Sequence, residues 1–181
     1  MAVVLENNLI QIHESGMIFG DFDHDDCFAI EEDPFYKSLK SDNFKSVEFV
    51  LCRTRDDDCK LLFVEAKSKL NHGSFTMQFH DEIKKISQKF MDSLQIICGI
   101  WHGGHKNEVQ LPSGFACFYE GGKGIEFVLV FKDCNSEQLL TISDAITREL
   151  RKEIKLWKFK VSAPNEEFAK NKELVVANNP A

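Results

Sequence analysis

The chain has 181 residues, 43% of them hydrophobic and 16 of them Phe, with a formal net charge of −7. That is enough apolar material for one full core, so a single domain spanning residues 1–181 is expected. No stretch approaches the roughly eighteen uninterrupted apolar residues of a membrane span, and the opening MAVVLENNLIQIHE lacks a basic region ahead of its apolar run. Membrane insertion and secretion are therefore disfavoured, and a cytoplasmic protein is expected.

The charge is unevenly spread. Residues 1–34 hold nine acids and no Lys or Arg, whereas AITRELRKEIKLWKFK, residues 145–160, has six basic residues against two acidic. The mean field opposes a polyanion, so nucleic acid would have to approach on a local basic patch. A helix with a solvated face accounts for the 145–160 segment equally well. The six cysteines, at 27, 52, 59, 98, 117 and 134, form no CxxC pair and mostly sit in apolar runs. Reduced, buried thiols are expected rather than disulfides or zinc.

In chain order, GMIFG and CFAIEE read as short strands separated by the acidic run DFDHDD, and PFYKSLKS as a short helix opened by Pro34. KSVEFVLCR (45–53) and KLLFVEAKS (60–68) read as strands, and the short link TRDDDC predicts an antiparallel hairpin. The first alternates Val47, Phe49 and Leu51 with Glu48, Val50 and Cys52; in the second, Glu65 and Lys67 share a face. Phe79, Ile83, Ile86, Phe90, Leu94, Ile97 and Trp101 form one stripe of a long amphipathic helix. GFACFYE and GIEFVLVFK predict a second hairpin around GGKG. SEQLLTISDAITRELRKEI predicts a helix capped by Ser136, LWKFKVSAP a strand, and residue 165 the start of a short helix before the apolar ELVV. The class is α/β (α+β), with a mixed central sheet flanked by helices and completed by residues 111–176. Those residues also offer room for a homodimer surface.

Glu-x-Lys occurs at 65–67, 82–84 and 153–155. The last two fall on expected helices, where residues two apart diverge. On a strand they point the same way, about 7 Å apart, and a sealed ion pair there would cost several kcal/mol per charge. Glu65 and Lys67 are therefore expected to open onto a cleft. Carboxylates that hold a divalent metal, beside a lysine that steadies developing charge, suit phosphodiester hydrolysis. Glu48 on the neighbouring strand is the candidate second acid.

The order SVEFVLC, short loop, LLFVEAKSK, long amphipathic helix resembles the core of the PD-(D/E)xK nuclease superfamily, the restriction-endonuclease-like fold, over about residues 30–100. The wording VEFVL, LLFVEAKS and KFMDSL is also similar to that of small uncharacterised bacterial members. The resemblance implies Glu48, Glu65 and Lys67 as catalytic residues. It also implies Mg2+ or Mn2+ held by Glu48, Glu65 and the Ala66 backbone carbonyl, with a further acid from Glu31 or Glu32. Val-Glu stands where the family pattern has Pro-Asp, so Glu48 must reach one methylene further. The superfamily includes members without activity, so a nucleic-acid or protein binding module is the alternative. Lys84, Lys85 and Lys89 are expected on the exposed side of the long helix, as solvated residues or phosphate contacts.

Three other motifs are weaker. DFDHDDCFAIEE places Asp21, Asp23, Asp25 and Glu32 at calcium-loop positions, but Asp26 stands where that loop needs Gly. His102 and His105, around Gly103 and Gly104, read as turn residues. GGKG lacks the Ser/Thr and helix of a phosphate loop.

Overall fold

The computed structural model describes residues 1–55, 58–69, 76–103, 109–121 and 124–176. The acidic N-terminal part folds as an antiparallel meander of β1 (Ala2–Glu6), β2 (Leu9–Glu14) and β3 (Met17–Asp23). Its turns are the two-residue kind that needs left-handed backbone, at Asn7-Asn8 and Ser15-Gly16, with φ between 50° and 75°. Gly20 lies at a register shift in this ladder with φ 145°, and a Cβ there would sit 2.7 Å from the Ile10 carbonyl oxygen.

β4 (Cys27–Phe28) is short and passes into a 3-10 turn, Ile30–Glu32, and then α1 (Pro34–Leu39). CFAIEE is thus a strand only at its start. Pro34 opens α1 as expected, and the Asp33 carboxylate accepts the Phe35 N–H. The hairpin is formed by β5 (Phe49–Arg55) and β6 (Asp58–Lys67), antiparallel with Phe49 opposite Val64. The long helix α2 (Met77–Trp101) follows, capped by Thr76.

The second expected hairpin does not form. Residues 113–121 are helical, a 3-10 turn Ser113–Phe115 running into α3 (Ala116–Gly121). A helix lets Phe115 enter the core, Phe118 stack on Trp101 and Cys117 reach Cys59, three contacts that a strand's alternation would split between faces. Within GGKG, Gly122 and Lys123 lie outside the described residues. β7 (Gly124–Phe131) then pairs parallel with β6. Asn135, rather than Ser136, caps α4 (Ser136–Glu149) in a reciprocal capping box with Gln138. The expected continuous helix breaks at Leu150 into α4 and α5 (Arg151–Trp157); β8 (Lys160–Ser162) and α6 (Glu166–Asn171) complete the chain.

The fold is α+β: a five-stranded mixed sheet in the order β4-β5-β6-β7-β8 and the three-stranded meander. Alternate residues of the large sheet feed two cores. Val50, Leu61, Phe63, Phe127 and Leu129 pack beneath α2 and α4. Phe49, Leu51, Leu62, Val64 and Val128 pack against Ile12, Phe19 and Phe22 of the meander and against Leu174 and Val175. Among the described residues no helix is long and apolar enough to cross a membrane. Phe127 is the aromatic hub of the helical core, with ring centroids 4.3–5.4 Å from Phe159, Phe90 and Phe63. Phe127→Ala should cost about 3–5 kcal/mol in urea unfolding, whereas Leu140→Ala, 69% exposed, should stay within about 0.5 kcal/mol of the parent.

Candidate functional site

β6 overruns its partner. The β5 ladder begins at Phe49 opposite Val64, so Glu65, Ala66 and Lys67 extend beyond paired β5. Glu48 stands one residue before β5, and its N–H donates to the Val64 carbonyl at 3.1 Å. Two side chains of α2 hold this approach: Asp92 accepts the Lys45 N–H and Ser93 Oγ accepts the Val47 N–H, both at 2.9 Å. Glu48 and Glu65 thereby lie side by side on the helix-facing surface, 5% and 0% exposed.

The cation between them is Lys89, which sequence reasoning placed on the outer side of the helix. Its ammonium donates to both Glu65 oxygens at 2.8 and 2.9 Å and lies 3.8 Å from Glu48 Oε1. Lys89 falls three residues after Ile86 and one before Phe90, at the border of the buried stripe, and the acids draw its flexible stem inward. Lys67 Nζ stands 3.4 Å from Glu65 Oε1, as the same-face expectation requires. Glu65, Lys67 and Lys89 line a cleft of about 460 Å³ together with Lys45, Asp81 and Lys85. Lys85 thus faces the cleft, while Lys84 is exposed.

Of the two further acids, Glu31 joins the site and Glu32 does not. Successive residues of a 3-10 turn fan out by about 120°, and with Ile30 fixed in the core only one acid can face inward. Glu31 is half-buried and interacts with the Glu48 carboxyl by charge and hydrogen bonding. Glu32 pairs with Lys37 at 2.6 Å on the surface. The Ala66 carbonyl, expected to face a metal, accepts a hydrogen bond from Ser15 Oγ at 3.2 Å. Ser15 is therefore a site neighbour that sequence reasoning missed; its signal was the Ser-Gly turn.

Burial and the neighbouring Glu65 charge push the Glu48 carboxyl up to about 9, with Lys89 pulling the other way. Glu65 is also pushed up by burial, against the pull of Lys89 and Lys67. The Lys89 ammonium is held above its ordinary value: burial opposes its charge, and Glu65 and Glu48 more than offset that. Glu48 Oε2 is buried without a hydrogen-bond partner.

The other sequence motifs are not drawn in. The calcium-like run is strand and turn: Asp21 accepts from Gln11 Nε2, and Asp23 accepts the Asp25 N–H. His102 follows the end of α2, and His105 lies outside the described residues. The basic segment 145–160 ends at Lys160, level with Glu126, whereas Lys67 is level with Phe131 at the other end of β7. No family model matches the chain, and no curated protein or solved structure matches it significantly. What the structure defines is an α+β protein with a buried carboxylate pair, one member of which, Glu65, lines a cleft shared by four lysines and two further acids.

The consequence for stability has a definite sign. The unfolded chain releases the Glu48 proton from about 4.5 upward, while the native state keeps it to about 9; native protein then binds more protons, and stability falls as pH rises between those values. The slope is up to about 1.4 kcal/mol per pH unit. Glu48→Gln should remove this slope, so urea unfolding at pH 5 and pH 8 should show the variant gaining on the parent at the higher pH. A difference that stays constant would mean that Glu48 titrates as an ordinary carboxyl.

Proposed function

We propose that this chain is a cytoplasmic, PD-(D/E)xK-like metal-dependent nuclease whose site is Glu48, Glu65 and Lys67, with Glu31 as the additional acid. The observation that carries the reading is the sharing of one cation by two buried carboxylates, one on β6 and one on the residue leading into β5, beside a lysine that opens onto a cleft. The donor set suits Mg2+ or Mn2+: hard carboxylate oxygens, one of them buried and unpartnered, and the Ala66 carbonyl nearby once Ser15 releases it. The charge balance agrees. Exchanging the Glu48 proton and the Lys89 ammonium for one divalent ion leaves the local charge unchanged, so ion binding should strengthen as pH rises.

A bound ion would supply Lewis acidity toward a phosphoryl oxygen and a lowered pKa for water. The chain's own groups do the rest. Glu48 and Glu65 would hold the ion. Lys67, tethered by Glu65 at the cleft, orients the attacking water and steadies charge on the phosphate. Lys45 and Lys85 offer further cationic contacts to a nucleic-acid backbone, on a chain whose net charge is otherwise repulsive.

One observation favours a second reading. Lys89 already neutralises the acids without any metal, as it would in a non-catalytic member of the fold that binds nucleic acid or protein. The two readings separate on Lys89→Met. Under the nuclease reading, the parent binds Mn2+ in calorimetry and the variant binds it more tightly. Labelled single-stranded DNA, double-stranded DNA or RNA is cut at low salt with manganese, and Glu65→Ala and Lys67→Ala each lose about 10²–10³ in rate. Absence of Mn2+ binding in both parent and Lys89→Met would favour the binding module. Cleavage retained by Glu65→Ala would remove the site assignment.

A further inference from the structure

A second cluster lies at the other end of the β5–β6 hairpin. Cys52 on β5, Cys59 on β6 and Cys117 on α3 converge from three elements, with Cys59 and Cys117 joined as a disulfide across a Cα separation of 6.3 Å. The expectation of reduced thiols thus fails at this pair, because the unexpected helix α3 lays Cys117 over the sheet. Cys52 Sγ lies 3.3 Å from Cys59 Sγ and 3.4 Å from Cys117 Sγ. A disulfide accounts for two sulfurs and gives no reason for a third placed nearly equidistant from both. A trithiolate ion site accounts for all three, and no other group of three or more His, Cys, Asp or Glu ligand atoms converges as closely among the described residues.

We propose that Cys52, Cys59 and Cys117 form a redox-gated site for a thiophilic ion, Zn2+ or its analogue Co2+, which is closed while Cys59 and Cys117 are joined and opens when they are reduced. Once the Cys59–Cys117 bond is broken and those two sulfurs separate, the third ligand is already close to its place. Zinc–sulfur bonds of about 2.3 Å put tetrahedral sulfurs about 3.8 Å apart, so Cys52 needs only about half an ångström from each neighbour. Two oxygens border the sulfurs: Thr54 Oγ1 is 3.4 Å from Cys117 Sγ, and the Gly114 carbonyl is 3.3 Å from Cys52 Sγ. Thr54 is exposed and Cys117 half-buried, which gives an ion from solvent a way in.

The gating step balances. A dithiol reductant delivers two electrons and two protons to the disulfide, yielding thiols at Cys59 and Cys117 and the reductant's own disulfide. Three thiols then exchange three protons for one divalent ion. Because binding releases those protons, occupancy should rise with pH. In either state the cluster pins α3, a six-residue helix too short to be stable alone. The carboxylate site is six residues away along β6, about 20 Å, and neither site depends on the other.

The test uses the full chain, prepared oxidised and prepared with excess dithiol that is then removed under argon. Reduced protein titrated with Co2+ should show a thiolate-to-cobalt charge-transfer band saturating at one ion per chain, and Zn2+ should abolish it by displacement. Zn2+ should also shield three of the six thiols from alkylation. Oxidised protein should show no band, a comparison that needs no mutation. Cys52→Ser should weaken binding by more than the about 10- to 100-fold that loss of an outer partner costs, while Cys98→Ser should bind as the parent does. Absence of the band in reduced, folded protein, or its retention at full strength in Cys52→Ser, would overturn the proposal.

Discussion

β6 is the constraint on which the rest depends. Leu61 to Ala66 are all buried, because the strand pairs antiparallel with β5 on one side and parallel with β7 on the other and is covered on both faces. A strand so enclosed can carry charge only where a neighbour stops. β5 stops short at its Glu48 end, and Glu65 and Lys67 sit at that overhang. The two cores and the site are three outcomes of one pairing pattern: helices cover one face, the meander covers the other, and the cleft opens where pairing ends.

The site is an economy of opposite charges in a place too dry to tolerate a surplus. Glu65 is fully buried and ion-paired on two sides. Glu48, with only the more distant contact to Lys89, balances its burial by keeping a proton. Burial and like charge act together on Glu48, whereas at Glu65 the two lysines oppose burial, which separates two carboxyls of the same chemical type into different roles.

Much of this was legible because it is periodic. The stripe from Phe79 to Trp101 and the alternation from Phe49 to Ala66 are local patterns that tertiary packing reinforces, and the same-face placement of Glu65 and Lys67 follows from strand geometry alone. The meander was only partly visible, since its first strand buries no residue and its second buries only Ile10 and Ile12. GFACFYE, residues 114–120, reads as a strand because it is a short apolar run, and its helical form rests on contacts with Trp101 and Cys59 that are remote in sequence. Lys89 and the three-cysteine convergence were not legible for the same reason: each is defined by partners on other elements. Glu31 and Glu32 could not be told apart until the turn that carries them was known to be 3-10.

The paired hydrogen bonds that the Lys45 and Val47 amides donate to Asp92 and Ser93 reach beyond local anchoring. Lys89, Asp92 and Ser93 fall within little more than one turn of α2, so the lysine that touches the carboxylates and the side chains that hold the backbone before Glu48 are mounted on one rigid rod. The separation between acid and ammonium is therefore ruled off by helical pitch. One residue inserted or deleted between positions 89 and 92 would swing these groups about 100° apart. This stretch of the chain is held to a fixed count of residues, a constraint on length that acts independently of which side chains fill it.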